Sequence, residues 1–166
     1  ELNIETLPTI ELLVYDDDRK LIALTLKEQL RKNLGAEIRI HPLPQKQKLE
    51  MEEQGKFHFS FVRWTGDYND PMTFLDMWHS KSALNFGHWS NKRYDELIGR
   101  SRGNPDFQKR EKDLIEAEKI LLEEAGAAPL YYEKEAFLQK PYVKNLVRHP
   151  VGAKYTLKWV RIEEKD

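Results

Sequence analysis

The sequence predicts an α/β domain in which helices flank a mixed β-sheet, and three observations carry that prediction. Residues 10–15 (Ile-Glu-Leu-Leu-Val-Tyr) are an apolar run short enough for a strand buried on both faces. An amphipathic stretch and a second alternating run follow, which spells β-α-β. From residue 57 onward come another alternating run, two helical stretches and further strand-like segments, an order that fits a layered α/β architecture.

The elements follow in order. Asp16, Asp17 and Asp18 lead into a helix over residues 21–34, with Ile22, Ala23, Leu26, Leu30 and Leu34 on one stripe. Carboxylates ahead of it and Arg31 and Lys32 near its end complement the helix dipole, and Gly35 suits the residue that stops it. Residues 37–41 alternate, with Ile38 and Ile40 on one face, so a parallel, right-handed crossover is expected. Residues 46–53 read as a short polar helix closed by Gly55. In residues 57–62 alternation puts Phe57, Phe59 and Phe61 on one strand face. Residues 64–71 are loop by composition, and 72–78 a helical turn. Ser90 is the expected N-cap of a helix reaching Ile98 and Arg100. Asn104 and Pro105 are the expected cap and first residue of the next helix. That helix turns Phe107, Leu114, Ala117 and Leu121 inward and ends at Gly126. Residues 129–132, 136–139 and 155–162 read as strands, and 141–152 as the most linker-like stretch.

Composition narrows the function classes. The 166 residues suit one domain; 33% are charged and 40% hydrophobic, as for a globular surface over one core. A net charge of −1 gives no electrostatic footprint for nucleic acid, so no nucleic-acid partner is expected. There are no cysteines, which excludes disulfides and thiolate metal sites and leaves the compartment open. No apolar run approaches the roughly 20 residues of a membrane span. The chain starts at Glu1 without initiator Met or export signal, and reads as processed or excised.

The densest set of recognition groups is Arg63, Trp64, Thr65, Gly66, Asp67, Tyr68, Asn69, Asp70 and Pro71. It follows a predicted strand, and α/β folds place ligand groups in strand-end loops. An indole offers a flat apolar wall and a carboxylate captures an ammonium. The same composition also describes a turn whose Asp and Asn cap backbone groups while Trp fills the core, and residue types alone leave both readings open. Asp67 and Asp70 as an acid/base pair are less favoured, since carboxylates three apart in a Gly-Pro loop are ordinary turn residues. Asp16 to Asp18 lack the later ligands of a calcium loop and read as helix-capping. His41, His58, His79, His88 and His149 show no metal-ligand spacing, and no phosphate loop or Gly-x-Ser-x-Gly elbow exists. No catalytic residue, metal or cofactor is therefore expected, and the chain does not read as an enzyme.

Residues 57–75 carry a resemblance. Trp64, Asp67, Tyr68, Asp70, Pro71, Phe74 and Leu75 match the W-x-x-D-Y-x-[DE]-P-x-x-F-L run of the oligopeptide-binding family of extracytoplasmic solute receptors, which serve ABC importers. Tyr94, Asp95, Leu97 and Ile98, then Arg110, Ala117, Glu118 and Leu121, then Pro129 to Tyr132 resemble its later blocks, and Pro141, Tyr142, Tyr155 and Trp159 its closing segments. The resemblance implies the C-terminal lobe of a periplasmic-binding-protein-like fold of the class II type. Residues 1–142 would form that lobe, and 143–166 the closing segment that returns toward an N-terminal lobe absent from the chain. It implies a peptide ligand, a permease partner, and a place in the periplasm or on a lipid anchor outside the cytoplasmic membrane. Asp67 would pair with the peptide's α-ammonium and Trp64 would line the pocket, with Arg63, Thr65, Gly66 and Tyr68 completing the ligand-binding loop. The chain departs from some relatives at Phe61, Gln45, Glu52 and Glu133, where they carry Arg, Trp, Arg and an aromatic. These departures leave open how a peptide's C-terminus is held. Receptors for dipeptides, metal chelates, haem and sugars share the scaffold.

Overall fold

Leu12, Leu13 and Val14 of β1 (Ile10–Tyr15) are almost wholly buried, and a three-stranded sheet is built around them. The computed structural model describes residues 7–163, and the chain divides at the Arg63–Trp64 bond into two units. In the first, β1 is central and parallel to both β2 (Ile38–Leu43) and β3 (Phe59–Ser60). Ile10 lies opposite Ile38 and Tyr15 opposite Leu43, while Leu12 lies opposite Phe59. Because side chains alternate, Leu12 and Val14 share one face with Ile38. There they pack with Ala23, Ala36 and Phe61, and with Ile22 and Leu30 of α1 (Arg19–Leu34). Gly35 stops α1 at φ 65, its N–H donating to the Arg31 carbonyl and that of Ala36 to Leu30. Leu34, expected on the buried stripe, is exposed; the chain turns at Gly35 and Ala36 takes the buried place.

The strand expected over 57–62 forms a ladder only at Phe59–Ser60, flanked by the His58 and Phe61 N–H groups donating to the Glu11 and Leu13 carbonyls, and its phenylalanines are not buried alike as expected. Phe61 joins the core at 9% exposure while Phe59 is 52% exposed. The polar segment does form α2 (Gln45–Glu53), and Gly55 follows it at φ 63.

The second unit centres on helices. Met72 and Leu75 of α3 (Met72–Leu75) pack with Tyr94, Leu97 and Ile98 of α4 (Lys92–Ser101) and Leu114, Ala117 and Leu121 of α5 (Phe107–Glu123). A single 3₁₀ turn, Asp76–Trp78, follows α3. Both expected caps shift. Asn91, not Ser90, caps α4, its Oδ1 accepting from the Tyr94 N–H at 2.9 Å. Asp106, not Asn104, caps α5 by accepting from the Lys109 N–H at 3.1 Å. Asn104 instead accepts from the Asp106 N–H, closing a turn around Pro105 just before the helix. Phe107, expected to point inward, opens α5 on its solvent side at 70% exposure. The Gly126 N–H donates to the Leu121 carbonyl and ends α5 as expected, with Ala125 in the left-handed region.

Residues 129–132 and 136–139, expected as strands, belong to no ladder among the described residues. The linker-like stretch supplies β4 (Val143–Lys144) and β5 (Val147–Arg148). The expected last strand breaks into β6 (Tyr155–Thr156) and β7 (Arg161–Ile162), because the Val160 N–H turns back to the Leu157 carbonyl between them. β4 pairs with β7 and β5 with β6, both antiparallel. No helix among the described residues is long and apolar enough to cross a membrane.

Candidate functional site

The loop at 64–71 is held from three directions within its own unit. Gly66 is buried, and a Cβ there would come within 3.2 Å of the Thr73 methyl and 3.3 Å of the Phe74 ring, so the loop packs closely on α3 and an added methyl would press those side chains aside. The Asp67 N–H donates to Thr73 Oγ1 at 3.0 Å. The Gly66 carbonyl accepts from the Gly152 N–H at 2.9 Å. Tyr68 and Asp70 close a tight turn through the Asp70 N–H and the Tyr68 carbonyl.

The two loop carboxylates have different fates. Asp70 Oδ1 accepts from the Met72 N–H at 2.9 Å, which secures the start of α3, and from Arg110 Nη2 at 2.6 Å. Arg110 Nε donates to the Ser101 carbonyl at the end of α4, so one guanidinium ties the loop to α4 and α5. The Arg110 guanidinium holds the Asp70 carboxyl below the usual range, and the Met72 N–H adds to that. The Asp67 carboxylate is exposed and has no hydrogen-bond or ion-pair partner among the described residues. Trp64 and Tyr68 stand beside it in sequence at 39% and 49% exposure, and Thr65 is exposed. The Trp64 ring therefore does not fill the core, which removes that half of the turn reading. Asp70 fulfils the other half.

Downstream the loop is moored in the helical core. The Tyr94 hydroxyl donates to the Leu75 carbonyl at 2.5 Å, and burial pushes its pKa well above the ordinary tyrosine range. Trp89 meets the Tyr94 ring edge-on at 4.9 Å.

Arg63 closes the first unit and is exposed. Its charge helps to lower the Asp17 carboxyl to about 2, an effect due first to the hydrogen bonds from Arg19. Of the six residues expected to form the ligand loop, Trp64, Thr65, Asp67 and Tyr68 stand exposed on one loop, Gly66 is its buried spacer, and Arg63 lies in the other unit. Among the described residues no group of three His, Cys, Asp or Glu could hold a metal. The broad surface hollows along α1, by Leu24 and Gln29, and beside Arg100 and Lys112 contain none of the loop residues.

Two features were not legible in the sequence. One is the bracing of the loop by Thr73, Arg110 and Gly152, whose partners are distant in the chain; only the motif position of Arg110 hinted at it. The other is a buried charge cluster in the first unit. Lys48 and Glu52 of α2 are 0% and 2% exposed, with Nζ donating to Glu52 Oε1 at 2.5 Å and to Ser60 Oγ at 2.7 Å. Ser60 Oγ in turn donates to Glu52, and Nζ lies 4.6 Å from the centre of the Tyr15 ring. Burial lowers the Lys48 pKa, opposed by Glu52.

The family model described as bacterial extracellular solute-binding proteins, family 5 (middle region), matches residues 3–86. The dipeptide-binding protein DppE of Bacillus subtilis is 34% identical over 160 residues, covering 96% of this chain and 29% of the relative. A solved oligopeptide ABC transporter substrate-binding domain from Bacillus anthracis superposes with a TM-score of 0.82 at 38% identity, over 94% of this chain and 31% of that one. The probable deoxycholate-binding periplasmic protein YgiS of Escherichia coli is 34% identical over 135 residues, 81% of this chain and 25% of the relative. The chain thus spans under a third of the length of each of these proteins.

Proposed function

The chain belongs to the bacterial extracellular solute-binding proteins of family 5, a family of receptors rather than enzymes, and on that premise we propose that it is the C-terminal lobe of a receptor that captures oligopeptides outside the cytoplasmic membrane for an ABC permease. Residues 1–142 form the lobe in this reading, and 143–166 return toward an N-terminal lobe. The names of DppE and of the Bacillus anthracis structure support a peptide ligand, and the share of their length that the chain covers supports a second lobe. Capture follows hinge closure of the two lobes over the ligand, and the closed receptor docks on the permease.

One observation carries the ligand chemistry. Asp70 is engaged by Arg110, whereas Asp67 presents a carboxylate without a partner among the described residues, on a loop fixed at its backbone. Such a group, once enclosed, demands a cation, and every peptide with a free N-terminus supplies one. Trp64 offers the apolar wall beside it. Calorimetry of the full-length receptor with a mixed tripeptide tests this. Asp67→Ala is expected to weaken binding by about 30-fold or more, the cost of stranding one member of an enclosed charge pair. Unchanged affinity would sink the anchor role.

The similarity to YgiS favours a second reading, a same-fold receptor for another solute. A bile-acid carboxylate would meet Asp67 as a like charge, which disfavours that ligand at this loop. Mass spectrometry of the ligand that co-purifies with the full-length receptor decides between peptide and steroid.

A further inference from the structure

The segment that closes the chain reaches the ligand loop. Gly152 lies at the tip of the hairpin formed by β5 and β6, where Val147 pairs with Thr156 and Arg148 with Tyr155. The His149 N–H donates to the Lys154 carbonyl at 3.1 Å, and the His149 ring bonds Thr156 Oγ1 at 2.7 Å, so the tip is tied across its base. From that tip the Gly152 N–H reaches the Gly66 carbonyl at 2.9 Å.

The peptide unit between Gly66 and Asp67 is therefore held at both of its polar groups. Its carbonyl accepts from Gly152, and its N–H donates to Thr73 Oγ1 on α3. The unit is planar, so fixing both ends fixes its orientation, and rotation about the flanking dihedrals would break one bond or the other. The Asp67 Cα is the last atom of that unit, so the point from which its side chain departs is fixed with it. Gly152 itself has φ +72, a conformation L side chains rarely adopt, and a Cβ there would lie 3.3 Å from the Asp67 carbonyl oxygen. The backbone conformation thus favours glycine at this position, and a side chain there would also press on the Asp67 carbonyl.

We infer that Gly152 is a positioning residue for the ligand site: the hairpin tip places the backbone that carries the Asp67 carboxylate, and so the closing segment contributes to recognition of a ligand ammonium. This rests on the reading of Asp67 as the ammonium anchor. Because the bond acts on the Asp67 backbone, its loss weakens ligands that carry an α-ammonium and spares those that do not. A residue that only maintained the fold would weaken both alike.

The test uses the full-length receptor with trialanine and N-acetyl-trialanine, and reads the ratio of their dissociation constants by calorimetry. In the wild type the free amine is preferred, and Asp67→Ala brings the ratio close to one. Gly152→Ala is expected to cut the preference about tenfold, since an L side chain strained at this φ and pressing on the Asp67 carbonyl displaces the bond to Gly66; a tenfold change corresponds to about 1.4 kcal/mol. Thr73→Val, which removes the other bond to the same peptide unit, should act likewise, with Thr73→Ser restoring the wild-type ratio. Equal weakening of both ligands by Gly152→Ala, or an unchanged ratio, overturns the inference while leaving the anchor intact. A wild-type ratio in Asp67→Ala refutes the anchor, and the inference falls with it. Amide hydrogen exchange in the wild type provides a check that needs no variant. The Gly152 N–H should gain protection when trialanine binds and not when the acetylated peptide is offered; no gain with trialanine also overturns the inference.

Discussion

Helices α2 and α5 bury residues at the same helical spacing and bury opposite chemistry. α5 turns Leu114, Ala117 and Leu121 into an apolar cluster. α2 turns in Lys48 and Glu52, one turn apart, and leaves Leu49 at 40% exposure. The surface each helix meets explains the difference. α5 faces Tyr94, Leu97 and Ile98, whereas α2 faces the Ser60 hydroxyl and the Tyr15 ring. Spacing along a helix tells which residues share a face. Which face turns inward depends on the groups that wait for it.

The sharpest way to break that comparison is to remove one charge from α2. Lys48→Met leaves Glu52 buried with only the Ser60 hydroxyl, and is expected to cost about 3–5 kcal/mol in urea unfolding. Replacing both together, Lys48→Met with Glu52→Leu, should recover most of that loss, because a well-packed apolar pair of similar volume matches a buried ion pair. A single substitution that costs under about 1 kcal/mol would mean the pair is solvated and α2 is an ordinary surface helix.

Leu121→Ala in α5 is the matching change in an apolar setting. It removes transfer free energy and leaves a cavity beneath Tyr94 and Leu97, for an expected loss of about 2–4 kcal/mol by the same measurement. No second substitution of a neighbour by a polar group should rescue it. The two helices thus separate by rescue as well as by magnitude.

A smaller effect, about 1–2 kcal/mol, is expected for Arg110→Met, which frees Asp70 and the Ser101 carbonyl together. The pH dependence has a definite sign. The folded-state pKa of Asp70 lies below its unfolded value of about 3.9, so its contribution is complete above about pH 4 and is lost as pH falls through the lowered folded value. Stability profiles of wild type and Arg110→Met should therefore converge at the acid end and separate above about pH 4. Parallel profiles would show that Arg110 acts by packing alone.

What the sequence revealed follows the range of the interactions. β1, α1 and β2 were legible because their patterning is local, and so were Leu114, Ala117 and Leu121. Trp64, Asp67 and Tyr68 were legible as loop residues from their composition. The distinction between Asp67 and Asp70 was not, because it is drawn by Arg110, 40 residues away. The caps moved by one or two residues, since Ser90, Asn91, Asn104 and Asp106 are all competent caps and only the backbone course chooses among them. The Phe57 to Phe61 alternation did not foretell burial, because β3 has a partner on one side only and Phe59 is left uncovered while Phe61 joins the core. Burial of Lys48 depended on Ser60 arriving from β3.

The smallest expected effect comes from apolar residues that neither helix covers. Tyr132 and Leu138 are 97% and 102% exposed in the segment between α5 and β4, where no ladder is formed among the described residues. Apolar surface already in water gives up nothing when it is removed, so Leu138→Ser should change unfolding by less than about 0.5 kcal/mol. The same leucine-type side chain in α5 is expected to cost several times more, and the contrast isolates burial from composition. A loss above about 1 kcal/mol at Leu138 would place it against a core, and residues 136–139 would then be the strand expected there.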